Sequence, residues 1–342
     1  MVIDGKHFSA AIKRVAQLTG CTSIGVIAKN KQLTFCASND GRTFIEKLPV
    51  DTDEDWSCAV ALDNGMLRLL NGKVKLTCDG STVSVTSQSY RGKFPVEGFV
   101  YPDLVDFSKA KSFSANHINL LSAGYDATSI RSVFGKTTFE FSFGSGKFVC
   151  ATWDRVHFAL LQATSTLEGA AKMSGEDIGQ LLDAVDEPQK FAEASGFLLV
   201  QNAYQKFYTP TLQVEANNEF EQLIDFANRF NEPLCEISPH ELLLATDRTM
   251  GACEQGQSVT LEFGKQKCTV KAKSNKGDYL EVLGISNSKS TAHISVDPSM
   301  LIDILSRAKN DDMQVGITDR FIWFAEKIEL GTHYLALLSS QE

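Results

Sequence analysis

The chain has 342 residues, 43% hydrophobic and 22% charged, a balance that sets aside disordered and low-complexity classes and allows full cores. Its formal charge is −9, and no apolar run approaches the ~18 residues that cross a bilayer as a helix. The start, MVIDGKHF, lacks the apolar core of an export signal, so the expected location is cytoplasmic.

The first predicted element is a helix, HFSAAIKRVAQLTG from His7, with Phe8, Ile12 and Val15 on one face and Lys6, Lys13 and Gln17 nearly opposite. Strand-like runs follow, then LDNGMLRLL from Leu62, read as a helix over 62–72 capped by Asp63. Leu67 and Leu70 face its core, Arg68 points away, and Lys73 and Lys75 lie just beyond. KVKLTCDGSTVSV then reads as strand, tight turn, strand.

The same order returns twice. SANHINLLSAGYDA from Ser114 is a second first helix, and 174–186 a second capped helix with Ser174 as cap and Ile178 and Leu181 inward. FAEASGFLLV is its hairpin. Between Glu215 and Ser238 lies an extra helical stretch, NEFEQLIDFANRF, bridging to the third copy. There SPHELLLATDRTMGA opens, 297–309 is the capped helix with Asp297 as cap and Leu301 and Ile304 inward, and MQVGITDRFIWF closes. The caps stand roughly 110–125 residues apart by subtraction, too far for a solenoid repeat and right for domains. The reading is α+β, with three similar domains at 1–106, 107–225 and 226–342.

Catalytic chemistry finds little to work with. GKT at Gly135 resembles the end of a phosphate loop, but Ile130 stands where that loop requires glycine. FGSGK at Phe143 lacks the upstream glycine too and reads as a hairpin turn. The six histidines show no HxxxH or HxH spacing, and the eight cysteines form no CxxC pair, so neither metal site nor disulfide framework is expected. No GxSxG elbow occurs, and Asp311-Asp312 and the Asp51–Asp55 run read as solvated loops. The expectation is a protein that is not an enzyme, with no cofactor and no metal. The basic residues opposite apolar stripes are more telling: Lys6, Lys13, Arg14, Arg68 and Lys73 early, and Arg248, Arg307 and Lys309 late. On an acidic chain, basic helix faces suit a surface that tracks phosphates without reading bases. The middle copy departs from this, with Glu176, Asp183 and Asp186 on or near its second helix.

Several segments then resemble one family, the bacterial-type DNA polymerase sliding clamp, or beta subunit. RGKFPVEGF at Arg91 is similar to the end of its first domain, and KFVCATWDRVHFALL at Lys147 to its mid-domain strand and turn. HISVDPSMLIDILSRAKNDDMQVGITD at His293 follows its last helix and strand, and HYLALL its terminal strand. The architectural likeness covers the whole chain, and the segment matches about a quarter of it. Trp153-Asp154-Arg155 stands where Asp-Gly-His is usual, and Leu338-Ser339-Ser340 replaces the family's closing Met-Pro-x-Arg, as in a divergent member of cellular or viral origin.

The resemblance implies a head-to-tail homodimeric ring around double-stranded DNA, held topologically and independently of sequence, with the basic faces above lining the hole. It also implies docking of a DNA polymerase and a clamp loader by short peptides at the junction of the second and third domains. Carried over by position, that groove would comprise Thr152, Arg155, Val156, Leu223, Leu335, Leu337 and Leu338. No membrane partner is implied. Two other readings stand beside it: a clamp-like scaffold without processive sliding, favoured by the acidic middle helix, and an enzyme on an unfamiliar three-domain scaffold.

Overall fold

The computed structural model describes residues 1–51, 54–63, 65–113, 115–131, 135, 137–166, 168–211, 218–251, 257–274, 277–318 and 320–340. The first copy runs β1 (Val2–Asp4), α1 (Gly5–Thr19), β2 (Ser23–Lys29), β3 (Gln32–Asn39), β4 (Arg42–Pro49), β5 (Trp56–Ala61), α2 (Met66–Leu69), β6 (Lys73–Cys78), β7 (Thr82–Thr86) and β8 (Arg91–Pro95). The second repeats the order with β9 (Lys111–Phe113), α3 (Ala115–Thr128), β10 (Thr138–Gly144), β11 (Lys147–Trp153), β12 (His157–Thr164), β13 (Gly169–Ser174), α4 (Gly175–Asp183), β14 (Lys190–Ala194), β15 (Phe197–Gln201) and β16 (Gln205–Pro210). After one inserted helix, α5 (Glu219–Ala227), the third has β17 (Cys235–Ile237), α6 (Pro239–Met250), β18 (Val259–Phe263), β19 (Lys267–Ser274), β20 (Gly277–Gly284), β21 (Ala292–Val296), α7 (Pro298–Leu305), β22 (Met313–Thr318), β23 (Phe321–Ile328) and β24 (Gly331–Leu338). The threefold order is the one read from sequence, and every strand pairing is antiparallel. Among the described residues, no helix is long and apolar enough to cross a membrane.

Local chemistry accounts for the helix ends. Asp4 accepts from the Lys6 and His7 N–H groups to start α1, and left-handed Gly20 closes it with an N–H to Ala16 O. Ser238 and Asp297 cap α6 and α7, each followed by proline at the first helical position. Asp297 is the cap expected; Asp63 is not. The helix expected over 62–72 shrinks to the single turn α2, whose N-terminus is Gly65 without a side-chain cap. Gly65 before it and Asn71-Gly72 after it are poor helix formers, so only four residues stay helical. The side chain of Ser174 lies outside the described residues. The inward positions hold in all three copies: Leu67, Leu70, Ile178, Leu181, Leu301 and Ile304 are buried.

By packing, the chain divides into two compact units, residues 1–118 with 179–211 and residues 119–178 with 212–342. The first contains a four-stranded sheet, β1-β6-β7-β8, and an eight-stranded one, β5-β2-β3-β4-β16-β15-β14-β9. In the latter, β4 meets β16 with Thr43 opposite Tyr208 and Glu46 opposite Gln205. α1 packs Phe8 edge-on to Phe35 at 5.1 Å, and Phe44 lies beside Phe207 across the join.

The second unit holds β20-β19-β18-β21 and an eight-stranded sheet, β13-β10-β11-β12-β24-β23-β22-β17. There β12 meets β24, from His157 opposite Leu337 to Ala163 opposite Gly331. Gly331 is required: a Cβ would stand 2.0 Å from Gln162 O on the neighbouring strand. One face of this sheet, with Ile322, Phe324, Leu335 and Leu337, forms a core with Leu242, Leu301 and Ile304 of α6 and α7. The opposite face carries Trp153, Phe158, Leu160, Trp323 and Ala336, under Phe220 and Ala227 of α5 and the following Phe230. α5 is the bridging helix expected from sequence. Its stripe Phe220, Leu223, Ile224, Ala227 repeats at helical spacing and explains which side it lays on the sheet.

Candidate functional site

Beside α5 the second unit opens into a cavity of about 800 Å³. Trp153, Val156, Phe158, Leu223, Phe226 and Phe321 give it an apolar wall, and Arg155, Gln222, Arg229 and Glu219 line it as well. The aromatic wall is braced from behind. Phe230 stacks on Trp323 with ring centres 4.8 Å apart and meets Phe226 edge-on at 4.9 Å, while Phe226 meets Phe321 at 4.9 Å. Arg155 and Arg229 are exposed and make no ion pair with a described residue.

The turn Asp154-Arg155-Val156 between β11 and β12 supplies one end of the wall. Asp154 Oδ1 accepts from the Val156 N–H (2.9 Å) and the His157 N–H (3.1 Å), and lies 2.9 Å from His157 Nδ1. His157 Nε2 is 3.7 Å from Asp303 Oδ2 on α7, an ion-pair distance too long for a hydrogen bond. Burial opposes a charge on His157, but Asp154 and then Asp303 outweigh it and raise its pKa to about 9. Burial likewise works against the Asp154 carboxylate, yet the hydrogen bonds from His157 and the Val156 N–H hold it down at about 2. From the far side, the Leu338 N–H reaches Val156 O at 2.7 Å and ties the turn to the end of β24.

Of the seven residues expected to form a groove, Arg155, Val156 and Leu223 line this cavity together. Leu338 does not line it but fastens its turn through the backbone. The other three require correction. Leu335 and Leu337 are fully buried on the helix side of the sheet, because residues on a strand alternate faces and β24 turns Tyr334 and Ala336 toward α5 instead. Thr152 is also turned away and buried, with its hydroxyl 3.4 Å from that of Thr128. Trp153, Phe158, Phe226, Phe321 and Arg229 were not anticipated. The α5 stripe and the facing positions of Trp153 and Phe158 at the end of a hairpin carried the signal.

The basic residues divide into two groups. Lys6 and Lys13 on α1, Arg68 on α2, Lys73 on β6 and Lys309 after α7 are exposed and make no ion pair with a described residue. Arg14 lies 3.2 Å from Glu46 and 3.4 Å from Asp186. Arg248 pairs with Glu281 on β20, and Arg307 lies half-buried 3.9 Å from Asp303. Of the acidic residues in the middle copy, Asp183 and Asp186 are exposed, and the side chain of Glu176 lies outside the described residues. Also outside them are Lys136 of the GKT stretch and Cys253. Among the described residues, no cluster of metal-ligating side chains forms.

Three copies of two helices on antiparallel sheet, with eight-stranded sheets made where copies join, define a clamp-type fold. The DNA polymerase III beta chain of Streptococcus pneumoniae matches it with a TM-score of 0.84 at 11% identity, over 100% of this chain and 99% of that one. The beta subunit of Streptococcus pyogenes matches at TM-score 0.82 and 14% identity, with 100% and 99% covered. A Pseudomonas aeruginosa sliding clamp bound to griselimycin matches at 0.81 and 10%, again over 100% and 99%. At such identities the likeness is one of fold. The sequence matches no protein-family model and no curated relative.

Proposed function

We propose that this chain is a DNA sliding clamp, a non-catalytic processivity factor that encircles duplex DNA as a head-to-tail homodimer and works in the cytoplasm. The observation that carries the reading is the series of strand joins. The third strand of one copy's first sheet meets the last strand of the next copy's second sheet, at β4–β16 and again at β12–β24. The next members of that series, β20 and β8, are both sheet edges. β20 exposes Leu280 (60%) and Val282 (52%), the sort of apolar edge that needs covering. A second copy supplies the missing partners for both edges and closes the series with three domains per chain, near 1–106, 107–225 and 226–342.

Within such a ring, Lys6, Lys13, Arg68, Lys73 and Lys309 offer a sparse set of phosphate contacts that position a duplex without reading it. The aromatic cavity suits the short peptides of a polymerase or clamp loader. Its wall takes apolar anchors, and Arg155 and Arg229 favour a carboxylate beside them.

The first test is native mass spectrometry at micromolar concentration, with Leu280→Asp as the edge variant. A dimer of twice the 37.5 kDa chain that the variant dissociates supports the ring. A strict monomer, or a dimer indifferent to Leu280, counts against it. Retention on circular DNA with release on linearisation then tests sliding. A scaffold that binds replication proteins without sliding is favoured by one observation: Arg14, Arg248 and Arg307 are paired with the chain's own carboxylates. That reading expects a dimer that is not retained on circles.

A further inference from the structure

We infer that His157 is the positioning residue of the aromatic groove, fastening the Asp154–Val156 turn to helix α7 through the pair Asp154–His157–Asp303. The inference rests on the reading of that cavity as a partner groove. It adds a control point, Asp303, that is not among the cavity's lining residues.

The geometry runs in one line from the groove wall to α7. Asp154 takes three donors on one oxygen, two of them backbone N–H groups that shape the turn and the third the imidazole of His157. The His157 side chain is fully buried, and its partners Asp154 and Asp303 are 4% and 15% exposed. A neutral side chain at 157 would remove the buried imidazolium that stands 2.9 Å from Asp154 and 3.7 Å from Asp303. Among the described residues, two further groups face Asp303. The segment just after α7 brings Arg307, 3.9 Å from Asp303 Oδ1, and the segment after α3 brings the Arg131 N–H, 2.8 Å from Asp303 Oδ2. Strand β24 sets apolar Leu337 opposite His157. Arg307 contacts Asp303 from just past the end of the same helix and is not among the groups within hydrogen-bond distance of Asp154, so it does not join the turn to α7. The imidazolium is therefore the cation that bridges the turn and the helix, and the raised His157 pKa agrees with that placement.

The test uses the full chain and a fluorescent heptapeptide selected on it from a random library, kept only if Leu223→Asp abolishes its binding. Asp303→Asn and His157→Gln are expected to weaken that peptide about tenfold, as loss of a charge-assisted contact does, while the dimer and circular dichroism are unchanged. Hydrogen exchange at residues 154–157 should quicken in Asp303→Asn, and the His157 imidazole, followed by NMR, should titrate at lower pH than in the parent. Should Asp303→Asn leave peptide affinity, exchange and titration as they were, the inference falls and the groove reading survives. If no selected peptide depends on Leu223, the groove reading falls, and exchange with titration still decides whether His157 holds the turn. If either variant loses its fold, Asp303→Glu, which keeps the charge, should restore parental exchange, and failure to do so overturns the proposal.

Discussion

The two eight-stranded sheets are covered by different devices on the faces away from α1 and from α6 and α7. In the first unit, the non-helical segment 97–110 pairs with the edge strand β5 and then crosses the face of the sheet. Glu97 bridges Ala59 by backbone bonds in both directions, and Phe99 sits so close to Gly25 that a Cβ there would be 2.1 Å from its ring. Phe107 packs on Tyr208 at 5.6 Å, with the Lys206 ammonium over both rings. In the second unit a helix does the covering. An α-helix with side chains is ~10 Å thick, so it stands off the sheet and touches it only along its apolar stripe. Beside the turn 154–156 the stripe runs out and the aromatic wall stays open to a ligand. Equivalent sheets are thus covered by a non-helical strap in one unit and by a helix beside an aromatic groove in the other.

The largest effects expected are in the shared cores. Trp323→Ala, behind the groove, should cost about 3–5 kcal/mol, and Leu337→Ala and Leu301→Ala about 2–5 kcal/mol each, read from urea unfolding. Leu337→Ala should act through stability alone; selective loss of partner binding with stability intact would return Leu337 to the groove. A sharper pair sets strap against helix. Phe107→Ala should cost about 3 kcal/mol and leave peptide binding alone, while Phe226→Ala should cost less, about 1–2 kcal/mol, and weaken the peptide at least tenfold. Equal stability losses with no difference in binding would erase the distinction between the strap and the groove.

The pH dependence singles out the groove side. The His157 pKa is raised above its ordinary 6.5 to about 9, so its contribution is complete below about 6.5 and is lost as pH climbs through about 9. Asp154 is lowered from 3.8 to about 2, so its contribution is present above about 4 and is lost as pH falls toward 2. Stability from this pair should be flat between about pH 4 and 6.5, then decline by on the order of 2 kcal/mol by pH 10, and His157→Gln should remove most of that slope. A slope unchanged in the variant would assign the alkaline loss to other groups.

Much of the fold was legible because each copy repeats the same inward stripe on its second helix. Asp297 before Pro298, and Leu301 and Ile304 at helical spacing, mark α7 in the sequence as plainly as in space. The short α2 was overread, since its inward leucines look helical although Gly65 and Gly72 leave room for one turn. The groove was half legible. Arg155, Val156 and Leu223 follow from the resemblance, but HYLALL does not say which alternate face of β24 meets the helix. That choice depends on register with β12, a pairing between residues far apart in the chain. The Asp154–His157–Asp303 contact was invisible for the same reason, because Asp303 is 146 positions beyond His157 by subtraction.

The smallest effect expected concerns two neighbours on α1 in the first unit. Lys13 is exposed without an ion pair among the described residues, whereas Arg14 lies within 3.4 Å of both Glu46 and Asp186. Glu46 is buried, and burial, partly offset by Arg14, raises its pKa, so Arg14 is committed to holding that carboxylate. A cation already neutralised by the protein releases few counterions when DNA arrives. If the clamp reading holds, Lys13→Gln should reduce the dependence of DNA binding on salt by about 0.9 in log–log slope, and Arg14→Gln should scarcely change it. Arg14→Gln should instead lower stability modestly, about 1 kcal/mol, by stranding Glu46. The measurement is binding to one duplex across a salt series, repeated on a second sequence to show that neither residue reads bases. Equal slope changes in both variants would mean that Arg14 leaves its carboxylates for phosphate, and the ion pair on the first unit would then be a contact that DNA exchanges for its own.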